Sequence, residues 1–516
     1  MPTLNTLTRI LCRLSLEKKV SWLGKSMTPI RWKARIGCQF LLVVSIHLFG
    51  SCSNAAEPRF GAEFSVAACD EGATVRDLAF KDAVTAAYTG NPQVLTARQD
   101  IEKANVAVIG AWTGFLPSAS FSMVGEHFVS YAPGSVPVSV NNTLVGGQSS
   151  IYTSYPSIGV NWNLYAGGKD VATYRGAKAG TRAAEGDLTD KTVTILSAVL
   201  SAYGDLLKAQ ASARQQMQAV KLLRQIAERS RGRYRQGRDS LVVVEQARST
   251  LAQGERSYFD ACKALSEKSS AMAQAVGLRL GPVHLLRAAT ETLPPAPEVS
   301  ATVASFDALI DQDPSVRAAR ERVDMAQSKL QQTQAAFKPT LALFGRYDGL
   351  GQNAANIDAA YNGTHRNSYR VGVVLQQSLG PFTSEYAAME SARADYLKAD
   401  ASYQAAQVDA GAKLRSAWNG KRQTAQALES ARDSALHAEQ TQTLTRQLFG
   451  AGRVAEDAID QSTISVLKEF EAVREREVDH SVQGWLLYRA VKPLEFENLL
   501  LSLFVSGGRI DDRSPK

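Results

Sequence analysis

Two long stretches of the chain have the composition of uninterrupted helices. Residues 168–278 and 384–490 are rich in Ala, Gln, Arg, Glu, Lys and Leu, and none of the 17 prolines falls inside either stretch. A proline inside a helix costs about 3 kcal/mol or more, so its absence over such lengths favours continuous helices. Each stretch is broken once by glycine, at Gly237 and at Gly452. The pattern predicts two helical hairpins, each an antiparallel coiled coil packed through small, alanine-rich positions.

Four shorter segments alternate apolar residues with polar or small ones. The apolar positions are Phe121, Met123, Ile158, Val160, Trp162, Leu164, Leu341, Leu343, Tyr369, Val371, Val373 and Leu375. We predict two strands within about 118–165 and two within about 340–378, each with one apolar face. Strands of membrane barrels and half-buried soluble hairpins share this alternation. Tyrosines near the strand ends favour the membrane interpretation.

A sheet of four strands is too narrow to close into a barrel, and lipid does not tolerate open strand edges. The membrane interpretation therefore requires several identical chains that each donate four strands, and a symmetric oligomer follows from it. A soluble strand domain would need no such partner, and this alternative remains open at the level of the strands.

The chain also contains an internal duplication. Residues 91–98 (NPQVLTAR) recur as residues 313–320 (DPSVRAAR), and residues 115–117 (FLP) recur as residues 337–339 (FKP). These pairs share an offset of 222 residues. A repeat of this length indicates a duplicated domain rather than a solenoid of short units.

We therefore predict four regions along the chain. Residues 1–56 form a signal peptide and leader, residues 57–300 the first structural repeat, residues 301–492 the second repeat, and residues 493–516 a C-terminal tail. Each repeat is predicted to hold short helices, two strands and one long helical hairpin, in the same order.

The leader has the features of an export signal. Basic residues at 31–35 precede a short apolar run at 40–50, which is too short for a membrane-spanning helix. Small residues at 53–55 fit an ordinary signal peptidase, and we favour this site. Cleavage before Cys52 would instead leave a lipidated cysteine, although Phe49 stands where a lipoprotein signal usually has Leu. The long basic part makes Met27 an alternative start.

Charge and cysteine content narrow the function classes further. Residues 1–56 hold eight basic residues and one acidic residue, so they carry almost all of the net charge of +8. The rest of the chain therefore gives no sign of a nucleic-acid partner. Only Cys69 and Cys262 lie clearly in the mature chain. Their spacing fits no metal or redox motif, and we predict no disulfide framework.

The motifs of common enzymes are absent from the sequence. No phosphate-binding loop of the G-x-x-x-x-G-K-[ST] form occurs, the six histidines show no zinc-binding spacing, and no nucleophile elbow is present. We therefore predict no catalytic residues, no cofactor and no metal site.

Taken together, residues 74–492 resemble the TolC-type outer-membrane channel family. The residues that carry the resemblance are Asn91-Pro92 and Phe115-Leu116-Pro117 with their second copies, the strand-to-helix turn Leu164–Gly168 with Gly167 and Gly168, and the hairpin tips Gly237 and Gly452. Three features depart from the family pattern: Leu379–Thr383 replaces the second Gly-Gly turn, Leu241–Val244 lacks the usual acidic residue, and the tail from Leu494 has no counterpart.

The resemblance implies a fold and a function. The fold would be mainly α with membrane β, and a homotrimer would complete a 12-stranded barrel. The protein would be a passive conduit through the outer membrane and the periplasm of a Gram-negative bacterium, in a tripartite efflux or type I secretion system. Its partners would be outer-membrane lipid, an inner-membrane pump and a periplasmic adaptor docked at Gly237 and Gly452. The transported substrate stays open.

The candidate working residues are Asp457 and Asp460. Three positions apart on a helix, they project from one face, and they resemble the paired aspartates at the narrow periplasmic entrance of the family. A trimer would hold six such carboxylates, which favour cations. Arg453 or Lys468 would bridge between chains and hold the entrance shut. The alternative is that Asp457, near a helix start, only complements the helix dipole.

One function from a different class remains as the alternative. Long alanine-rich helices are common in structural coiled coils, and a structural protein of the cell envelope, tethered through Cys52, would also account for export. In that case the strands would form a soluble domain.

Overall fold

The computed structural model describes most of the chain beyond the leader. The described residues are 69, 74–131, 138–140, 143–145, 148–281, 284–290, 292–299, 306–364, 366–377 and 384–505. The chain divides into two units, Met1–Ser65 and Val66–Lys516, and every described residue belongs to the second. The leader with its two candidate cleavage sites and Cys52, the segment Leu379–Thr383 and the end of the tail lie outside the described residues.

The described elements alternate short and very long segments. In chain order they are β1 (Thr74–Leu78), α1 (Phe80–Gly90), α2 (Pro92–Thr113), β2 (Ser118–Tyr131), β3 (Val138–Val140), β4 (Thr143–Val145), β5 (Gln148–Ala166), α3 (Lys169–Arg235), α4 (Leu241–Val276), β6 (His284–Ala288), α5 (Phe306–Ile310), α6 (Pro314–Gln334), β7 (Thr340–Asn353), α7 (Ile357–Asn362), β8 (Arg366–Gln376), α8 (Ser384–Gly450), α9 (Glu456–Val491) and α10 (Pro493–Val505).

Corresponding long helices of the two repeats have equal lengths. Helices α3 and α8 have 67 residues each, and helices α4 and α9 have 36 each. Strands β2 and β7 both have 14 residues, whereas β5 has 19 and β8 only 11. The second repeat is thus shorter at its second strand. The predicted fold class, mainly helical with duplicated hairpins and four main strands, is confirmed. Among the described residues, no helix is long and apolar enough to cross a membrane.

Four antiparallel strands form the main sheet, in the order β2-β5-β7-β8. The register places Phe121, Ile158, Tyr347 and Tyr369 in one row across the sheet, and Ser122, Ser157, Asp348 and Ser368 in the next. Because successive side chains of a strand point to opposite faces, one face is apolar and the other polar. Between the two strands predicted within about 340–378, β7 continues to Asn353 and is followed by α7.

The helices pack closely through small residues. A Cβ atom added to Gly204 of α3 would lie 2.8 Å from Val482 of α9, and one added to Gly186 would lie 3.0 Å from Ala318 of α6. Such distances leave no room for a larger side chain. Glycine therefore lets α3 approach its neighbours, as the alanine-rich spacing of the sequence predicts.

The main hydrophobic core lies where α1, α3, α4, α9 and α10 meet. Trp485 of α9 is fully buried, and its indole N–H donates to the carbonyl of Pro294 at 2.9 Å. Phe496 and Leu500 of α10 are also fully buried. The part of the tail that had no counterpart in the family pattern is thus a structural helix that completes this core.

The structure contains a disulfide that the sequence did not predict. Cys69 and Cys262 are bonded to each other, with their Cα atoms 5.2 Å apart. They are separated by 193 residues, so their spacing carries no signal. Cys69 lies beside α4, with its Sγ 3.5 Å from the hydroxyl oxygen of Tyr258.

Candidate gate at the ends of the helical hairpins

The first hairpin turns at residues 236–240, which we call the first tip. Gly237 has a φ of +71°, a conformation that favours glycine. Its N–H donates to the carbonyl of Tyr234, and the N–H of Arg238 donates to the carbonyl of Arg233, both at 2.9 Å. These two bonds form a Schellman motif, which ends α3 and satisfies its last carbonyls.

The second tip, residues 451–455, has the same turn. Gly452 has a φ of +70° and donates to the carbonyl of Phe449 at 2.8 Å. Arg453 donates to the carbonyl of Leu448 at 2.9 Å. The two tips therefore have the same backbone conformation and differ in their side chains.

Asp457 and Asp460 lie near the start of α9 and face α3. Their side chains are 19% and 15% exposed, so both carboxylates are largely covered. Arg229 of α3 contacts both: its Nε donates to Oδ1 of Asp457 at 3.2 Å, and its Nη2 donates to Asp460. Nη1 of Arg229 also lies 3.3 Å from a carboxylate oxygen of Glu456.

Arg233, one helical turn further along α3, completes the group. Its Nη2 donates to the second oxygen of Asp457, and its Nε donates to Asp239 of the first tip at 2.8 Å. The hydrogen bonds to Asp457 and then to Asp239 raise the pKa of Arg233 above its ordinary value, so the side chain stays cationic at every physiological pH. We call these six residues the tip ion-pair cluster; they are Arg229, Arg233, Asp239, Glu456, Asp457 and Asp460.

A ring of six carboxylates in a trimer stays a prediction, and within one chain basic residues lie against these carboxylates. Two guanidinium groups lie among four carboxylates, so each aspartate that faces α3 has a cation in contact. Opposite charges at contact distance remove most of the repulsion among the acids. Arg453 and Lys468 are exposed in the single chain, and a contact of either with a neighbouring chain stays a prediction.

Sequence reasoning missed Arg229 and Arg233. The only local signal is their spacing of four residues, which places both on one face of α3. The second repeat gives no corresponding signal. At the tips the repeats are offset by 215 residues, from Gly237 to Gly452, and this offset places Leu444 and Leu448 at the positions of Arg229 and Arg233. The second repeat therefore has the same helical hairpin as the first but lacks the two arginines of the cluster.

The strand-to-helix turn at Gly167 and Gly168 also requires glycine. Their φ values are +67° and +91°. A Cβ atom on Gly167 would lie 2.6 Å from the carbonyl oxygen of Ala335. This turn lets the chain pass from β5 directly into α3 beside the second repeat.

Neither the cluster nor any other part of the described chain has the features of a metal site. Within the described ranges, no group of three or more His, Cys, Asp or Glu side chains could hold a metal ion. The cluster can hold two helices together and present charge to ions, and it contains no nucleophile with an adjacent base.

Comparison with known proteins gives the family. The family model described as outer membrane efflux protein matches residues 83–278 and 306–469. These two segments correspond to the two repeats and together cover more than half of the chain. The chain therefore belongs to the outer membrane efflux protein family. No curated protein matches the sequence in a direct comparison.

Solved structures share the fold at low sequence identity. They include the outer membrane channel CmeC of Campylobacter jejuni (16% identity, TM-score 0.68, covering 80% of this chain and 85% of that chain) and the outer membrane protein VceC of Vibrio cholerae (17%, 0.62, 80% and 95%). The open state of the MtrE outer membrane channel of Neisseria gonorrhoeae is also similar (15%, 0.60, 80% and 88%). At these identities the likeness establishes the channel fold alone.

Family membership settles the class of function. The protein is an outer-membrane efflux channel of a Gram-negative bacterium, and it is a conduit rather than an enzyme. The resemblance to TolC-type channels inferred from the sequence is confirmed.

Proposed function

We propose that the protein works as a homotrimeric channel-tunnel in a tripartite efflux or type I secretion system. In this proposal it spans the outer membrane and the periplasm, and an adaptor and an inner-membrane pump supply selection and energy. The observation that carries the proposal is the four-stranded sheet, which is apolar on one face and open at both edges.

The sheet needs partners at its apolar face and at both of its edges. On the apolar face Tyr369, Val371 and Leu375 are 83%, 76% and 73% exposed, a pattern that favours lipid over water. Within the part of the chain that the structure describes, β2 and β8 each pair with a strand on one side only. Lipid does not tolerate unpaired edges, and three copies would give twelve strands that close on themselves.

The helices supply the periplasmic part of the proposal. A helix of 67 residues is about 100 Å long at 1.5 Å per residue. Two such helices per chain, in three chains, would line a tunnel far longer than the barrel. The disulfide between Cys69 and Cys262 supports this location, because disulfides persist in oxidising compartments such as the periplasm.

The tip ion-pair cluster would be the closed gate of this tunnel. Arg229 and Arg233 hold the start of α9 against the end of α3, which joins the two hairpins of a chain. Opening would require these contacts to break and would leave Asp457 and Asp460 unpaired at the entrance. The tips around Gly237 and Gly452 would be the docking points of the adaptor.

Purification from outer membranes tests the proposal. A heat-sensitive trimer that resists extraction with carbonate and conducts ions in planar bilayers is the expected result. A monomer that forms no channels would instead support the structural coiled-coil protein, and carbonate would leave this monomer in the membrane fraction if it were tethered through Cys52.

A further inference from the structure

A cavity lies between helices of the two repeats, away from the tips. Its volume is about 440 Å³, and it is lined by α3, α8, α9 and the segment that follows β6. Leu207 and Ala211 of α3, Leu428 of α8 and Val478 of α9 form the apolar part of its lining. Sites for small molecules typically have volumes of about 300–1,000 Å³, so the cavity has the size of such a site.

One wall of the cavity is the segment after β6, which α9 holds in place. Thr292 and Leu293 line the cavity, and Leu293 is 8% exposed. The indole N–H of Trp485 donates to the carbonyl of the next residue, Pro294, at 2.9 Å. This wall is therefore anchored to a long helix.

Cationic side chains outnumber acidic ones in the lining. The four cationic and two acidic side chains are Lys208, Arg214, Arg432, Arg474, Glu475 and Glu477. Nη2 of Arg432 donates to a carboxylate oxygen of Glu477 at 2.9 Å. Because only two acids face four cations, the lining keeps a surplus of positive charge.

The acids that pair with Lys208 do not remove this surplus. Nζ of Lys208 lies 2.9 Å from a carboxylate oxygen of Asp205 and 2.8 Å from one of Asp479. Asp205 also contacts Lys268 at 2.9 Å, and Asp479 contacts Arg476 at 3.4 Å. Each of these two carboxylates is thus shared between two cations.

Two buried donors in the lining have no acceptor among the described residues. Gln210 is 7% exposed, and its Nε2 makes no hydrogen bond. Nε2 of His480 lies 2.9 Å from Nζ of Lys421. An ammonium group only donates, so this Nε2 accepts, and the hydrogen of the neutral ring is on Nδ1. Nδ1 is also buried without a partner.

The donors and the charges favour the same class of ligand. Buried N–H groups are normally hydrogen-bonded, so Gln210 and His480 indicate an acceptor. Burial, followed by the positive charges of Lys421 and Arg432, lowers the pKa of His480, which shows that cations lie near the ring. Carboxylates and phosphates accept from N–H donors and pair with arginine, whereas a cation would be repelled.

We propose that this cavity binds a small organic anion that has a carboxylate or phosphate group and an apolar portion. The anionic group accepts from Gln210 and His480 and pairs with Arg432, and the apolar portion lies along Leu207 and Val478. Such a ligand would contact both repeats of one chain and hold α3 against α9. This binding site goes beyond the proposed function, because conduction does not require it.

Calorimetric titration of the purified full-length protein in detergent tests the proposal with three probes. Phenyl phosphate and benzylammonium share an aromatic ring and differ in the sign of their charge, whereas inorganic phosphate lacks the ring. Phenyl phosphate should bind at least about 10-fold more tightly than either of the others, because the lining is cationic and partly apolar. Its affinity should fall as salt rises. It should also raise the temperature at which the protein unfolds.

Two variants locate the site. Arg432→Gln removes a cation, and Gln210→Met removes a donor and keeps a similar side-chain volume. Each should weaken binding of phenyl phosphate by about 10-fold, the usual effect of losing a hydrogen bond to a charged group. Arg432 is 60% exposed, so its replacement tests the cavity without altering the core.

The matched control is Arg182→Gln. Arg182 is 50% exposed and pairs with Glu321 at 2.7 Å, much as Arg432 pairs with Glu477, but it does not line the cavity. This variant should bind phenyl phosphate as the unmodified protein does. Three results would overturn the inference: no binding of phenyl phosphate, equal binding of benzylammonium, or an affinity that Arg432→Gln lowers no more than Arg182→Gln does.

Discussion

Arg229 and Asp460 are 231 residues apart in the chain and form a direct ion pair between α3 and α9. The pair joins the first repeat to the second at the end of the hairpins. Its surroundings are asymmetric, because both arginines of the cluster come from the first repeat, whereas Asp457 and Asp460 come from the second. The gate we propose therefore depends on a difference between two copies of one duplicated hairpin.

Removal of the arginines should open the entrance. Partly exposed ion pairs contribute up to about 1 kcal/mol each. The variant Arg229→Gln with Arg233→Gln should therefore raise the ratio of open to closed channels by up to about fivefold for each pair that is lost. Single-channel recordings in planar bilayers measure this ratio. Lys263→Glu, a charge change at an exposed position of α4 outside the cluster, serves as the control. If the double arginine variant has the same open fraction as the unmodified channel, the cluster does not hold the entrance closed.

Removal of the aspartates should change ion selectivity. We expect Asp457→Ala with Asp460→Ala to lower the preference for cations and to alter block by divalent cations, because the entrance would lose its carboxylates. Reversal potentials in a salt gradient measure the preference. The arginine variant is the matched comparison and should shift it in the opposite direction. Unchanged selectivity in the aspartate variant would remove these residues from the gate.

Reduction of the disulfide should destabilise the protein. The bond between Cys69 and Cys262 closes a long loop, and such bonds typically contribute about 2–4 kcal/mol. A reductant should therefore lower the temperature at which the trimer dissociates in gels. The variant Cys69→Ser with Cys262→Ser should dissociate at this lower temperature with or without reductant. A dissociation temperature that neither the reductant nor the double serine variant lowers would contradict a stabilising role of the disulfide.

His480 should make stability depend on pH. Burial, followed by the nearby charges of Lys421 and Arg432, lowers the pKa of His480. The neutral ring is therefore favoured in the folded state. Its contribution to stability is present above the ordinary histidine pKa of about 6.5 and is lost as the pH falls through the lower folded value.

Thermal unfolding from pH 7.5 to 5 tests this dependence. The unmodified protein should lose more stability towards pH 5 than the variant His480→Gln, whose side chain does not titrate. Because other groups titrate in both proteins, the difference between them is the relevant quantity. Parallel pH profiles of the two proteins would show that protonation of His480 does not lower the stability of the folded protein.

The tail helix should be essential for stability. Phe496→Ala removes a fully buried ring from the main core, which typically costs about 3–5 kcal/mol. Leu494→Ala, at an exposed position two residues earlier, is the matched control and should change stability little. Equal unfolding temperatures of the two variants would show that α10 is not part of the cooperative fold.

Local patterns in the sequence predicted most of the architecture. The proline-free stretches predicted the long helices, the alternating residues predicted the four main strands, and the glycines at 237 and 452 predicted the turns. Each signal is local, because helix propensity, strand alternation and positive φ depend on residues a few positions apart. The start of β8 and the end of β7 were less visible, since polar residues continue both strands beyond the segments in which apolar and polar residues alternate.

The sequence alone determined the duplicated hairpins, the strand pattern and the family of the protein. Only the tertiary structure decided that Arg229 and Arg233 meet Asp457 and Asp460, that Cys69 bonds Cys262, and that the tail completes the core. These contacts join residues that are far apart in the chain. They depend on how α3, α4 and α9 pack, and no spacing within a single helix encodes that packing.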